Sequence, residues 1–542
     1  MKPMSRRSLL GLALLLLAWA TVPVMRVQGQ GAQRDEMVAM RDGTKLAVTL
    51  YFPTGSGPWP VVLSRTPYGK DQGDPAKAEA RYTAAGYVRV LQDARGKGKS
   101  EGIYRPFADD IEDGYDTIEW IAKQPWSNGK VGMSGTSALG IATYNAAMSG
   151  APHLVAAFVT AARGYTPPAG GVPMQHLEDW SRRQGVTATP TPRPTFRTYA
   201  ANAGARDLRS YADKITVPFY NVGGWYDIFE SGILDGYTFL QTQGAPSIRG
   251  KNKLMLAAFG HGPLSGDLKY PADGGSIAMG DPIRWFDYWL KGIDNGVLNE
   301  PAVRYFVMGD TMDPSAPGNV WRTADAWPPK STPTSYYLAA NGKLATARPT
   351  GDQQASYVYD PKNPAPTAGG NNLGLDRGPM DQRPVSTRKD VLKFETAPLT
   401  EAVEITGPLS AELVVSTDAP DTDFMVKLVD VYPNGYEALV NDGAFRLRYV
   451  DGYDKQVRAV RGKQYTISVD LWATALVFNT GHKIAVHVTS SNFPRFERHT
   501  NTWEPLTSYD QSVTATNTIV LDGRSRVILP VTNVYRSKTS AR

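Results

Sequence analysis

The stretch Gly132-Met-Ser-Gly-Thr-Ser-Ala-Leu-Gly140 constrains the fold of this chain more than any other. It follows a short apolar strand, Lys130-Val-Gly-Met133, and opens a helix-like run, Ile141-Ala-Thr-Tyr-Asn-Ala-Ala147. A sharp strand-to-helix turn needs glycine where side chains would meet backbone, and it lifts the residue at its apex clear of the sheet. Ser137 stands at that apex. A serine hydroxyl is a poor nucleophile until a base takes its proton, so Ser137 is a candidate nucleophile and calls for partners elsewhere.

The strict pattern G-x-S-x-G is not met at Ser137, because Leu139 stands where the last glycine belongs and Gly140 follows one residue later. The literal match is Gly98-Lys-Ser-Glu-Gly102, but no helix follows it to seat an elbow. The same loop imitates the tail of a phosphate-binding loop, except that Asp93 occupies the position of the required first glycine. Context therefore rejects both matches and keeps Ser137.

The expected order of partners is Ser, then Asp or Glu, then His. The chain has six histidines. His482, His487 and His499 fall in a C-terminal β-rich half, His176 in a Pro-rich insertion, and His153 too soon after the nucleophile helix. His261 remains, at the end of the apolar run Lys253-Leu-Met-Leu-Ala-Ala-Phe-Gly260, which reads as a buried parallel strand. Strand C-termini are where open α/β sheets bind ligands. Val217-Pro-Phe-Tyr-Asn-Val-Gly-Gly-Trp-Tyr226 reads the same way and delivers Asp227, although Asp227 could instead cap the helix that follows.

At 542 residues, two to three domains are expected, and 42% hydrophobic with 10% aromatic residues describes a globular chain. Residues 1–29 hold four basic and no acidic side chains, so the formal charge of +6 falls to +2 without them. That near-neutral remainder offers no electrostatic case for nucleic acid. The same 29 residues read as a signal peptide, with Lys2, Arg6 and Arg7 before the apolar run Leu9–Val22. Arg6-Arg7 resembles a twin-arginine signal, so an exported, periplasmic or extracellular protein is expected, with membrane contact only through that signal. The absence of cysteine suits an exported chain stabilised by core size.

Met37 to Pro53 reads as a hairpin around a type I′ turn at Asp42-Gly43. Strands at Val61–Ser64 and Tyr87–Leu91 then alternate with a helix over 109–124, for which Asp109 and Glu112 have capping-box spacing. Such alternation implies a largely parallel sheet. Breakers at Thr166-Pro-Pro168 and Thr189-Pro-Thr-Pro-Arg-Pro194 mark an insertion placed where a lid would sit, with a Pro-rich surface excursion as the equal alternative. After a helix over 281–291 the chain is β-rich to its end, as in a sandwich or jelly roll.

Several further segments carry a resemblance. Ser64-Arg-Thr-Pro-Tyr-Gly69, Leu91-Gln-Asp-Ala-Arg-Gly96, Trp126-Ser-Asn-Gly-Lys-Val-Gly-Met133, Gly224-Trp-Tyr-Asp227 and Ser490-Ser-Asn-Phe-Pro-Arg-Phe496 together resemble the cocaine-esterase-like group of α/β-hydrolases, which includes Xaa-Pro dipeptidyl-peptidases. The resemblance implies an α/β class: an α/β-hydrolase core in two parts, 33–162 and 215–325, a short helical cap at 163–214, and a C-terminal all-β jelly roll at 330–542. It implies Ser137, Asp227 and His261 as catalytic triad, with the Tyr68 hydroxyl and the Ala138 backbone N–H as oxyanion hole, and no metal or cofactor.

The family usually has tyrosine directly after the nucleophile, where this chain has Ala138. α-Amino-acid ester hydrolases grip an ammonium with carboxylates after the triad acid, a region where Ile228 and Phe229 stand here. An apolar pair does not offset the desolvation of an ammonium, so Phe229 is assigned to a hydrophobic acyl pocket. The expected function is an exported serine hydrolase cleaving carboxylic acyl esters, or amides, of a small-molecule substrate through an acyl-serine intermediate. The alternatives are an acylase or dipeptidyl-peptidase-like amidase, or a carbohydrate- or surface-binding jelly roll beside a residual hydrolase.

Overall fold

The computed structural model describes residues 32–73, 75–164, 169–174, 180, 182–185, 207–272, 274, 280–506 and 508–536. The expected signal peptide, His176 and most of the 163–214 insertion lie outside them. The first sheet contains β1 (Gln33–Ala39), β2 (Lys45–Tyr51), β3 (Trp59–Thr66), β4 (Val88–Asp93), β5 (Ser127–Thr136), β6 (Leu154–Thr160), β7 (Phe219–Tyr226), β8 (Lys253–Gly260), β9 (Val303–Val307) and β10 (Val320–Ala324). Their spatial order is β1-β2-β4-β3-β5-β6-β7-β8-β9-β10. Neighbours are parallel from β4 to β9, and the edges at β1-β2-β4 and β9-β10 are antiparallel.

Parallel strands are covered on both faces, and the alternation of side chains along β3 shows how. Val61 and Leu63 pack with Ile118, Ile121 and Tyr144. These belong to α2 (Asp110–Ala122) and α3 (Ala138–Met148). Val62 points the other way, into a cluster with Tyr82, Trp285 and Phe286 from α1 (Pro75–Ala84) and, after α4 (Glu230–Thr242), from α5 (Pro282–Lys291). Helix α5 starts where Asp281 accepts from the backbone N–H of Ile283 (3.0 Å) and Arg284 (3.2 Å), and ends at Gly292 with φ 72°.

Two local expectations are corrected. The β1–β2 loop has positive φ only at Gly43, and the Gly43 N–H donates to the Met40 carbonyl at 2.9 Å. That is a type I turn followed by a bulge glycine, not a type I′ turn, because the loop is one residue longer. No capping box forms at α2. Asp109 makes no side-chain cap and instead pairs with Arg105, whose guanidinium outcompetes a backbone N–H.

The second sheet contains β11 (Thr332–Ala339), β12 (Lys343–Ala345), β13 (Gln354–Tyr359), β14 (Leu392–Glu395), β15 (Ala402–Thr417), β16 (Asp423–Val431), β17 (Glu437–Arg446), β18 (Tyr465–Phe478), β19 (Lys483–Thr489), β20 (Ala515–Val520) and β21 (Arg526–Tyr535). The fold is therefore an α/β-hydrolase core followed by an all-β jelly roll. Strand β18 shows how the two meet. Its first six residues alternate buried and exposed, whereas Leu471 to Phe478 are buried without interruption. There Met308, just past β9, exchanges backbone hydrogen bonds with Ala475 and Val477, each at 2.9 Å. The Tyr226 hydroxyl adds a bond to the Leu439 carbonyl at 3.1 Å.

His482 bolts the same seam. Its Nδ1 lies 2.9 Å from Asp430 on β16 and its Nε2 3.2 Å from Asp310, two residues past Met308, with the Tyr432 ring 4.3 Å away. Burial works against the imidazolium, but the bond to Asp430 and the charges of Asp430 and Asp310 outweigh it and raise the pKa above the ordinary histidine value. A raised folded-state pKa contributes stability that is complete below the unfolded value and is lost as pH rises through the folded one. Replacing His482 with Gln is expected to lower Tm near about pH 6 and to shrink its decline toward about pH 9, read by thermal melts of both proteins across that range.

Candidate active site

Ser137 sits between β5 and α3 with φ 58° and ψ −124°, a conformation an L-residue adopts only when its surroundings impose it. The Ser137 N–H donates to the Thr160 carbonyl of β6 at 3.0 Å, and its own carbonyl accepts from Ile141 at 3.0 Å, starting the helix. A Cβ on Gly135 would drive into the backbone carbonyl of Leu139. One on Gly140 would strike the Ala162 side chain and approach the Gly135 carbonyl at 2.9 Å. Glycine is thus required three residues after Ser137, not two, and this explains why the strict pattern is broken.

His261 follows the tip of β8, and Asp227 follows β7, the adjacent strand. His261 Nε2 lies 2.8 Å from Ser137 Oγ, and Nδ1 lies 3.0 Å from Asp227 Oδ2. Asp227 is fully buried, and its Oδ1 accepts from the Phe229 N–H at 2.7 Å. It therefore shapes the turn before α4 and orients the imidazole at once, but it does not cap the helix, whose N-cap is Phe229 with no side-chain bond. The arrangement can move the Ser137 proton onto Nε2 while Asp227 stabilises the imidazolium.

Tyr68 lies in the loop after β3. Its backbone is held by Thr66 Oγ1 at 3.1 Å, and the next residues by the Lys70 N–H donating to Asp93 Oδ1 at 2.6 Å. Asp93 Oδ2 also accepts from the Lys99 N–H at 2.9 Å, while the Ser100 hydroxyl donates to the Asp93 carbonyl at 2.8 Å. The literal G-x-S-x-G match is therefore a brace for the Tyr68 loop. The Trp180 indole N–H donates to the Tyr68 hydroxyl at 3.1 Å. A hydroxyl that accepts there still has its own proton to donate. Ala138 is the first residue of α3, where backbone N–H groups have no intrahelical partner.

Ser137 and Ala138 open on a cavity of about 210 Å³ walled by Phe107, Ile141, Trp180, Phe229 and Leu373, with Arg163 at its side. Phe229 meets the His261 ring edge-on at 5.3 Å and carries the Arg163 guanidinium 5.0 Å from its centroid. Phe107, with φ 60°, stacks on Trp180 at 5.7 Å. Phe107, Trp180 and Leu373 are not found by sequence reasoning, since no local pattern ties these loop and insertion residues to Ser137. Glu230, beside Phe229, is fully buried, and burial followed by the Asp470 and Asp235 charges pushes its carboxyl well above the ordinary range. Among the described residues lining the cavity beside Ser137 there is no carboxylate; Glu178 and Asp179, the acidic pair of the insertion, lie outside those residues.

The remaining described histidines have structural partners or settings. His153 bonds Glu119 at 2.9 Å, and His499 bonds Asp421 at 2.8 Å. His487 is buried, and desolvation together with Lys427 and Lys393 pushes it down to about 3.

Fold and site together define a two-domain serine hydrolase. Residues 42–203 match the model of the X-Pro dipeptidyl-peptidase (S15) family, and residues 295–528 match its C-terminal non-catalytic domain. A cocaine esterase of Rhodococcus sp. (strain MB1 Bresler) is 33% identical over 91% of this chain and 97% of its own. The chain belongs to the cocaine-esterase family of hydrolases. An α-amino acid ester hydrolase structure superposes with TM-score 0.78 at 26% identity, covering 94% of this chain and 97% of that one. An aminopeptidase from a marine sediment Thaumarchaeota archaeon shares the fold, with TM-score 0.80 at 24% identity over 93% and 97% of the two chains.

The packing at the elbow generates a contrast between neighbours. Gly135→Ala or Gly140→Ala is expected to cost about 1–3 kcal/mol through overpacking and to remove most hydrolase turnover, whereas Leu139→Ala keeps turnover because Leu139 makes the tight contact through its backbone and not its side chain. Urea melts and p-nitrophenyl butyrate hydrolysis on the three variants provide the check.

Proposed function

We propose that this protein is an exported serine hydrolase that cleaves carboxylic acyl esters through an acyl-Ser137 intermediate. The observation that carries the reading is the continuous hydrogen-bonded relay Ser137–His261–Asp227 at the edge of an apolar cavity. Ser137 Oγ attacks the ester carbonyl carbon as its proton passes to His261 Nε2. The tetrahedral oxyanion is held by the Tyr68 hydroxyl and the Ala138 N–H. His261 then protonates the departing alkoxide, and water repeats the sequence to release the acid and free Ser137.

Two features favour an uncharged or anionic acyl group over a cationic one. The cavity lining carries Arg163 and, among the described residues, no carboxylate, and its walls are aromatic. A free ammonium, as an Xaa-Pro or amino-acyl substrate presents, would be desolvated there without a counter-charge. Amide substrates lacking that amine remain compatible with the same relay. The continuity of packing between the two sheets supports the second domain as a wall of the site more than as an independent carbohydrate-binding module.

The Ser137→Ala variant is expected to lose p-nitrophenyl ester turnover and the phenylmethylsulfonyl adduct that mass spectrometry places on Ser137 in the parent. A folded parent with neither turnover nor adduct across acyl lengths would remove the reading. Tyr68→Phe deletes one oxyanion donor and is expected to lower kcat by about 10²–10³ with KM little changed, as read by steady-state kinetics.

A further inference from the structure

We infer that the loop Gly370–Gly378 of the second domain is part of the catalytic machinery, with Asn371 and Arg377 as positioning residues for Asp227 and His261. The inference rests on the hydrolase reading above, and it assigns a mechanistic role to a domain whose family model is described as non-catalytic. The loop is closed by reciprocal backbone bonds between Gly370 and Gly378, at 2.9 and 3.1 Å. It is fastened to the chain just after the base, where the Ser265 N–H donates to the Arg377 carbonyl at 2.8 Å and the Arg377 N–H donates to Ser265 Oγ at 3.3 Å.

The base is the more dependent of the two. His261 stands between Gly260 and Gly262, so neither neighbour packs a side chain that could hold the imidazole's backbone in place. Arg377 supplies the hold. Its Nη1 donates to the His261 carbonyl at 2.6 Å, and its side chain lies so close across the turn that a Cβ on Gly260 or Gly262 would meet it at 2.7 or 2.6 Å. The glycines therefore make room for this guanidinium, and the guanidinium replaces the packing they forgo.

Asn371 does the same for the acid. Its Nδ2 donates to the carbonyls of Trp225 at 3.0 Å and Asp227 at 3.1 Å, spanning the last residues of β7 and the turn toward α4. Asn371 is fully buried, and its own carbonyl accepts from Arg495 Nη1 at 2.7 Å. Arg495 in turn lies 3.4 Å from Asp442. The anchor thus extends into the strands of the second domain. Leu373, between the two positioning residues, walls the cavity, so one loop touches acyl space, acid and base.

A base or acid held from outside its own domain should lose rate, not binding, when released. A misplacement of about 1 Å can cost about 10²-fold in rate. Arg377 is half-buried, so Arg377→Met tests the point without emptying the core; Asn371→Leu tests the acid. The full-length variants are assayed with p-nitrophenyl butyrate, and turnover is normalised to the burst amplitude, which counts acylated Ser137.

The expected result is a fall of about tenfold to a hundredfold in kcat per titrated site, KM within about twofold, and recovery of most of the rate by Arg377→Lys. Unchanged kcat per site, or a smaller burst amplitude with unchanged kcat per site, would overturn the inference, because a merely structural role lowers the number of working sites and not their rate. A parent enzyme without a Ser137-dependent burst would defeat the hydrolase reading itself and is distinguishable on that ground.

Discussion

The closeness of backbone packing around Ser137 is the constraint on which the rest of the site depends. Ser137 is held at φ 58° because Gly135 and Gly140 let strand β5, helix α3 and residue 162 approach to distances that exclude a Cβ. Relief of that conformation would lower the hydroxyl toward the sheet and away from His261. The strain is offset by the hydrogen bonds that start α3 and join Ser137 to β6, and by the parallel core beneath, where Val131 and Met133 are fully buried. Stability built at the centre of the sheet thus keeps one residue in an unfavourable conformation at its edge.

A second layer of order comes from buried charge. Arg65, fully buried behind the Tyr68 loop, bonds Gln92 at 2.7 Å and Asp110 at 2.8 Å, and Asp113 joins it to Arg95. Arg448 and His499 share Asp421, and Arg446 pairs with Asp423 at 2.8 Å. Such pairs add little net stability over apolar packing, but breaking one strands a charge, so they fix which loop meets which strand. This matters most for loops, which have no ladder of their own. The Tyr68 loop and the second domain's approach to Asp227 and His261 are both pinned in this way.

How much of this was legible in the sequence follows from the range of the interactions. Ser137, Asp227 and His261 were readable because each ends an apolar strand, a local pattern, and because their order in the chain limits the choices; the structure brings all three within hydrogen-bond reach. The alternation of strands and helices was readable for the same reason. Asn371 and Arg377 were not, since they act on residues 144 and 116 positions away and nothing in Gly369-Gly370-Asn-Asn372 hints at the target. The Asp109 cap failed because a guanidinium four residues earlier was a stronger partner than the expected backbone N–H. Local rules name the groups, and long-range contacts decide which of them are used.

Asp227 shows why the site needs both domains. A carboxylate with no exposure pays a large desolvation penalty unless its oxygens are satisfied, and here one accepts from the Phe229 N–H and the other from the imidazole. Its own backbone carbonyl lies just past β7, and that of Trp225 lies at the strand's last residues, where the pairing with β8 shifts register; both take a donor from the second domain. Asn371 provides the donor. Remove it and the Trp225 carbonyl loses this donor while the Asp227 carbonyl keeps the Glu230 N–H at 3.1 Å, which loosens the turn that carries the carboxylate. A side chain from the jelly roll thus adds to the local hydrogen bonds that fix the turn around the dry carboxylate, which low dielectric makes electrostatically effective toward an imidazolium.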